Sequence, residues 1–239
     1  MSENVSSQGQ PQPADMQAAA RSTLVKTGLA IAIFGLALFL AAGRLDWPLA
    51  WVYLVLVCVN TLSVTRLMST ELLAERGQIR EDARRWDIPL ALIIARIGPL
   101  AMMVIAGLDR RFSWSAGFPV WLPWVGVAAL VAGLAFSDWA MVVNRFFSGI
   151  VRIQTERGHT VVSSGPYGWV RHPGYAGSVL CNLATPLILA SWWSLIPAAV
   201  VVAVTVLRTA LEDRTLQAEL DGYAAYARRV RYRLVPGIW

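Results

Sequence analysis

Apolar residues run almost unbroken over 24–43, 48–68, 88–107 and 119–143, with charge sparse inside each run. A bilayer core about 30 Å thick needs about 20 apolar residues of helix, so each run predicts a membrane span. The stretch 175–207 is also apolar, but it falls short of the roughly 40 residues that two full spans require. It predicts a tight hairpin with Ser191 and Trp192 at its tip, Pro186 and Pro197 allowing kinks, and a second arm that continues as helix into the aqueous phase through Arg208. Between the second and third runs, Leu72, Leu73, Ile79, Ala83 and Trp86 share one helical face, which predicts a helix over 71–86 lying on the membrane surface. Residues 1–20, rich in Ser, Gln, Ala and Pro, lack the basic start and apolar core of a signal peptide and predict a retained disordered tail. The expected fold class is an all-α polytopic membrane bundle of four spans plus a C-terminal helical hairpin.

Composition agrees with that class: 56% of the 239 residues are apolar and 15% are charged, too greasy for an ordinary soluble domain. The formal net charge of +6 raises the question of nucleic acid, but the arginines fall on one side of the predicted membrane. That side receives Arg21, Lys26, the 66–85 loop, the 144–174 segment and the tail from Arg208 onward; the other receives Arg44, Arg110 and Arg111. Positive residues accumulate on the cytoplasmic side, so both termini and both polar clusters are expected there, and topology with anionic headgroups accounts for the charge without nucleic acid. Arg96 and Asp138 sit inside spans three and four, where an unpaired charge costs roughly 2.5 to 3.5 kcal/mol on insertion scales. They are expected to pair with each other or to serve a substrate pocket. Cys58 and Cys181 both lie in apolar stretches and give no disulfide or metal framework.

Chemistry is expected in two segments that bracket the hairpin. The first, 144–174, is long for a connection and contains both histidines of the chain, His159 and His172, among glycines and prolines. Pro173 and Gly174 are suited to start the hairpin's first helix, which puts His172 at a helix N-terminus beside free backbone donors. The second is the helical run R208-T-A-L-E212-D213, where Arg208 and Glu212 are four apart and share a face. A guanidinium suits a carboxylate or phosphate, and an adjacent Glu can fix its rotamer; the plainer reading is a surface pair that stabilises the helix. Two histidines without Cys or acidic partners at ligand spacing give no zinc site. No G-x-G-x-x-G follows a strand, which excludes a Rossmann dinucleotide domain, and Ser163 and Ser164 lack a nucleophile-elbow context.

N144-R-F-F-S, Gln154, R157-G-H-T-V-V, S164-G-P-Y167, V170-R-H-P-G-Y175-x-G177, R208-x-x-x-E212-D213 and Y223-x-x-Y226 through V230-R-Y-R-L-V-P-G occur in that order. Together they resemble the isoprenylcysteine carboxyl methyltransferase family over about residues 140–239. The resemblance implies a catalytic region over 144–239, following the membrane helices of 21–143, and S-adenosyl-L-methionine as cofactor beneath the C-terminal segment on the cytoplasmic side. Gln154, the run His159, Thr160, Val161 and Val162, Tyr167, and the run His172, Pro173, Gly174 and Tyr175 would enclose the cofactor. Arg208 and Glu212 would face a lipophilic or prenylated-cysteine acceptor that enters from the bilayer, with membrane lipids around it and neither metal nor nucleic acid involved. The Gln154-to-His159 connection is shorter than in eukaryotic members, and Asp213 stands where a second Glu is common. The C-terminal pattern also resembles membrane sterol reductases, which bind a nicotinamide cofactor. A phospholipid N-methyltransferase or a non-enzymatic membrane assembly factor would fit the same membrane character.

Overall fold

The computed structural model describes residues 13–76, 78, 80 and 82–239, and every regular element among them is helical. In chain order these are α1 (Pro13–Ala42), α2 (Pro48–Leu67), α3 (Thr70–Arg76), α4 (Asp87–Leu92), a π-helical turn (Ile93–Ile97), α5 (Gly98–Phe112), α6 (Leu122–Val143), two short 3-10 turns (Thr155–Arg157 and Gly165–Gly168), α7 (Pro173–Ile188), α8 (Leu195–Glu219) and α9 (Tyr223–Arg229). Five helical stretches among the described residues are long and apolar enough to cross a membrane: Ala14–Ala42, Pro48–Leu67, Asp87–Phe112, Leu122–Val143 and Leu195–Glu219. With no water to satisfy it, backbone inside a bilayer must bond to itself, which is why the apolar runs are helices. Prolines mark several starts: Pro48, Pro123 and Pro173 lie in first turns, where the missing N–H leaves no bond unmade.

The hairpin is asymmetric. Its first arm, α7, has 16 residues; its second, α8, has 25 and carries the chain past Arg208 to Glu219. Asp109, buried at the end of α5, fixes the tip by accepting bonds from the Ser115 amide and hydroxyl at 2.7 and 2.6 Å and from the Ser191 hydroxyl at 2.5 Å. The core at that end gathers Leu38, Phe39, Trp47, Met102 and Met103.

Three expectations change. The helix expected over 71–86 ends at Arg76, and Ile79 lies outside the described residues. A glycine follows Arg76 directly, and Glu75 turns into the protein to meet Arg152 rather than facing water, so the segment is not a simple amphipathic stripe. At the N-terminus α1 already begins at Pro13, inside the expected tail; residues 1–12 lie outside the described set. Arg96 and Asp138 form no ion pair among the described residues. Pro99 has no N–H to offer the carbonyl four residues back, and Arg96 Nη1 donates to that carbonyl, Ala95 O, at 3.1 Å. The π turn is the local widening that this interruption leaves, and π turns concentrate at functional sites.

Helices α6 and α7 make the closest packing in the bundle. A Cβ at Gly177 would stand 2.5 Å from Gly133 O and 2.8 Å from the Ser137 amide, and one at Gly133 would stand 2.8 Å from Cys181 Sγ. Association between helices in lipid rests on such close backbone approach rather than on a hydrophobic driving force. Gly177→Ala is therefore expected to destabilise the protein by about 1–3 kcal/mol, the usual cost of overpacking. Gly28→Ala, where nothing lies within 4 Å, is the control. Thermal unfolding in detergent should show a lower midpoint for the first variant and no loss for the second.

Candidate active site

The segment between α6 and α7 is ordered by its own polar groups. Gln154 is fully buried; its Nε2 donates to Phe146 O at 2.7 Å, and its Oε1 accepts from Arg157. The Gln154 amide donates to His159 Nδ1 at 3.3 Å, so the histidine's proton resides on Nε2. Arg152 is buried among three carboxylates, Glu75, Asp82 and Glu156, at 2.8, 2.8 and 2.6 Å. Burial alone would lower its pKa, but these partners raise it above the ordinary arginine value. The loop is thus bolted to α3 by charge-assisted bonds.

Its second half is closed by the C-terminal segment. The Arg171 and His172 amides donate to Tyr232 O and Arg233 O, both at 2.9 Å. Arg171 forms a two-point fork with Asp213, Nε to Oδ1 at 2.7 Å and Nη2 to Oδ2 at 3.0 Å, while its Nη1 donates to Val230 O and Arg231 O. Asp213 is fully buried and also accepts from Arg233 Nε at 2.9 Å, Gln217 Nε2 at 2.8 Å and the Tyr223 hydroxyl at 3.1 Å, with His172 Nε2 at 3.3 Å. The carboxylate that stood out in the sequence only as a departure from the family pattern joins the polar loop, α8, α9 and the C-terminal segment.

Between this assembly and α1, α3, α4 and the π turn lies a cavity of about 720 Å³. It is lined by His159 to Val162, Tyr167, His172, Gly174, Tyr175, Arg208 and Glu212, that is, by every site candidate except Gln154 and Pro173. Gln154 lies behind the wall and shapes it through Phe146 and His159; Pro173 starts α7. Tyr167 accepts a bond from Asn144 Nδ2 at 3.0 Å, and burial raises its pKa, which keeps the phenol neutral. Tyr223 and Tyr226 cover the loop end, and Tyr226 donates to Tyr167 O at 2.7 Å. At the opposite end the lining passes to Ile88, Leu92 and Ile94 of the membrane helices, with Lys26, Arg76 and Arg96 among them.

The Arg208–Glu212 pair is arranged differently from the expectation. Arg208's fork belongs to Asp87, Nε to Oδ1 at 2.6 Å and Nη2 to Oδ2 at 2.7 Å, with a further bond from Nη2 to Gly149 O at 2.8 Å. Glu212 instead accepts from the Tyr175 hydroxyl at 2.5 Å, and the Arg208 guanidinium lies over the Tyr175 ring at 5.2 Å. Both side chains reach the cavity, but Asp87, fully buried at the start of α4, is the group that holds Arg208. In the sequence Asp87 is one more charge at the edge of a span, and only the packing of α4 on α8 distinguishes it.

Residues 124–218 match the model of the isoprenylcysteine carboxyl methyltransferase (ICMT) family. Among curated proteins the chain is 29% identical over 114 residues to protein-S-isoprenylcysteine O-methyltransferase B of Arabidopsis thaliana, covering 47% of this chain and 54% of the plant protein. It is 32% identical over 119 residues to the Mus musculus protein-S-isoprenylcysteine O-methyltransferase and 31% identical over 119 residues to that of Homo sapiens, covering 46% of this chain and 40% of each relative. The chain thus spans about half or less of the length of these relatives. The matched stretch runs from α6 through the polar loop and α7 to the end of α8, so it holds the loop wall of the cavity together with Arg208 and Glu212. The similarity to the isoprenylcysteine carboxyl methyltransferase family is thus carried by residues 124–218.

Proposed function

We propose that this protein is an integral membrane methyltransferase that uses S-adenosyl-L-methionine to esterify the carboxylate of a lipophilic, prenylcysteine-like acceptor. The observation that carries the reading is the single continuous cavity, polar and aromatic where the loop and α9 close it, and apolar with cationic side chains where the membrane helices form it. The arginine distribution supports a cytoplasmic position for its loop end, and the apolar end suits an acceptor arriving from the bilayer.

The loop end suits the cofactor chemically. Val161, Val162, Tyr167 and the Phe146–His159 pair, with centroids 4.5 Å apart, offer apolar and aromatic surface, and His159 keeps an Nε2–H donor. Burial, followed by Arg152 and Arg157, holds the His159 pKa down to about 4, so the ring is neutral and adds no cation beside a sulfonium. When bound, the cofactor supplies a methyl group already activated by sulfur; the bond from carbon to sulfur breaks as the acceptor oxygen bonds the carbon. A carboxylate acceptor arrives ionised, so no side chain has to take a proton. Glu212 is engaged by Tyr175 and His172 by Asp213, an arrangement that positions more readily than it abstracts. Alignment of this kind is worth about 7–11 kcal/mol in favourable cases. Arg76 and Arg96 in the lining favour an anionic acceptor over an ammonium, which supports carboxyl over amine methylation.

The full chain in detergent should bind S-adenosyl-L-methionine and its demethylated product by calorimetry, and should transfer labelled methyl to a prenylcysteine acid as a base-labile ester. NADPH binding without a response to either sulfur ligand would instead support a nicotinamide-dependent reductase.

Arg208→Ala strands Asp87 without a counter-charge, a loss of about 3–5 kcal/mol for a broken buried pair. Its thermal midpoint should fall and transfer should be lost. Arg208→Met combined with Asp87→Asn should recover the midpoint but not the transfer; recovery of both would reduce Arg208 to a structural role.

His159 gives a pH dependence of fixed sign. Its folded pKa lies below the ordinary value of about 6.5, so the stability it contributes is complete above that pH and is lost as pH falls toward about 4. The thermal midpoint should therefore drop between pH of about 7 and about 5, and His159→Asn should show a smaller drop over the same interval.

A further inference from the structure

The arginines around the cavity differ in what satisfies them. Arg208 is neutralised by Asp87, Arg152 by Glu75, Asp82 and Glu156, and Arg171 by Asp213. Arg96 is exposed and donates to Ala95 O. Arg76, at the end of α3, is different: its Nη1 is buried and has no hydrogen-bond partner, and it forms no ion pair among the described residues. Its guanidinium lies over the Phe147 ring at 5.1 Å, which fixes the plane without supplying an acceptor. Arg76 lines the cavity and feels Arg208 as a neighbouring cation and, more weakly, the Asp138 carboxylate, which forms no ion pair with it; Gly149 lies between the two arginines, its carbonyl taking Arg208 Nη2, and a Cβ on Gly149 would stand 3.2 Å from Arg76 O.

A buried guanidinium nitrogen without an acceptor is costly and calls for an anion. We infer that Arg76 is the residue that binds the acceptor's carboxylate. The inference rests on the carboxyl-methylation reading above and extends it to a residue outside the matched 124–218 region. Arg208 cannot fill this role by charge, because its fork already neutralises Asp87. Burial, then Arg208, pushes the Arg76 pKa down to about 10, which still leaves it charged at neutral pH and ready for a counter-ion. The pairing also gives the reaction a direction. Bond formation at the acceptor oxygen converts the carboxylate to a neutral ester and the sulfonium to a neutral thioether, so the anion that held the acceptor on Arg76 is gone and the product leaves.

The test uses the full chain in detergent with N-acetyl-S-farnesylcysteine, its methyl ester and S-adenosyl-L-methionine. Wild-type protein should bind the acid at least about 10-fold more tightly than the ester, the ratio expected of one charge-assisted bond. Arg76→Met should erase that preference and raise the acceptor KM by about 10-fold or more, while cofactor affinity and thermal midpoint stay at wild-type values. Arg76→Lys, which keeps the charge without the planar donors, should fall between the two. A parallel fall in cofactor affinity and midpoint would mark Arg76 as merely structural. Equal binding of acid and ester by wild-type protein that methylates the acid, or an unchanged acceptor KM in Arg76→Met, would overturn the Arg76 assignment alone. Wild-type protein that neither binds nor methylates the acid would overturn the carboxyl-methylation reading and the assignment with it.

Discussion

The closed end of the cavity depends on the carboxylate of Asp213. Four elements reach it: Arg171 and His172 from the polar loop, Gln217 from its own helix one turn on, Tyr223 from α9, and Arg233 from the last segment. A carboxylate has about four lone-pair sites, so these donors share its two oxygens and lock one another's geometry. Two guanidinium groups supply the countercharge for a group with no exposure of its own. Removing one donor would leave a buried anion short of a hydrogen bond, so the shared carboxylate ties the loop and the C-terminal segment into a single cover rather than two flaps.

That cover stands on α8, one of the helices long and apolar enough to cross a membrane. Thr205 and Thr209 each return their hydroxyl to the carbonyl four residues back, at 2.8 and 2.7 Å, so α8 carries no unsatisfied hydroxyl through its buried length. Arg208 follows on the same helix and is fixed from the other side by Asp87. The apolar hairpin and the polar cover are therefore one rigid element, and the positions of Glu212 and Asp213 relative to the membrane helices are set by packing rather than by loop conformation.

The spans were legible because bilayer thickness imposes a length and a composition that no other constraint disguises; the expected and observed limits of the second and fourth runs differ by only a few residues. Both segments that line the cavity also stood out, since glycine, proline, histidine and tyrosine in an otherwise apolar chain have few structural reasons to cluster. What the sequence concealed was pairing. Asp87 and Arg208 are far apart along the chain, as are Glu75 and Arg152, and each carboxylate looks like an ordinary polar residue at the edge of a helix. Helical spacing suggested Glu212 as the partner of Arg208, because i,i+4 neighbours are visible in one dimension. Tertiary contact gave that role to Asp87 and turned Glu212 to Tyr175. The same limit explains Arg96 and Asp138, whose mutual pairing looked economical until Pro99 freed the carbonyl that Arg96 uses.

The division of the cavity follows from these pairings. The matched 124–218 stretch supplies the loop wall, Tyr175 and the Arg208–Glu212 helix, whereas Lys26, Arg76, Ile88, Leu92 and Arg96 come from helices that precede it. Asp87 belongs to that earlier set, yet it holds the most buried cation of the matched helix. A change in how α4 packs would therefore reach the Arg208 side of the cavity through one ion pair. A helical layer can diverge freely along its lipid face, but where it supplies Asp87 it is tied to the position of Arg208 on α8. The N-terminal helices thus supply both the cationic lining of the cavity and the carboxylate that aligns Arg208, and neither is separable from the membrane bundle that the apolar runs build.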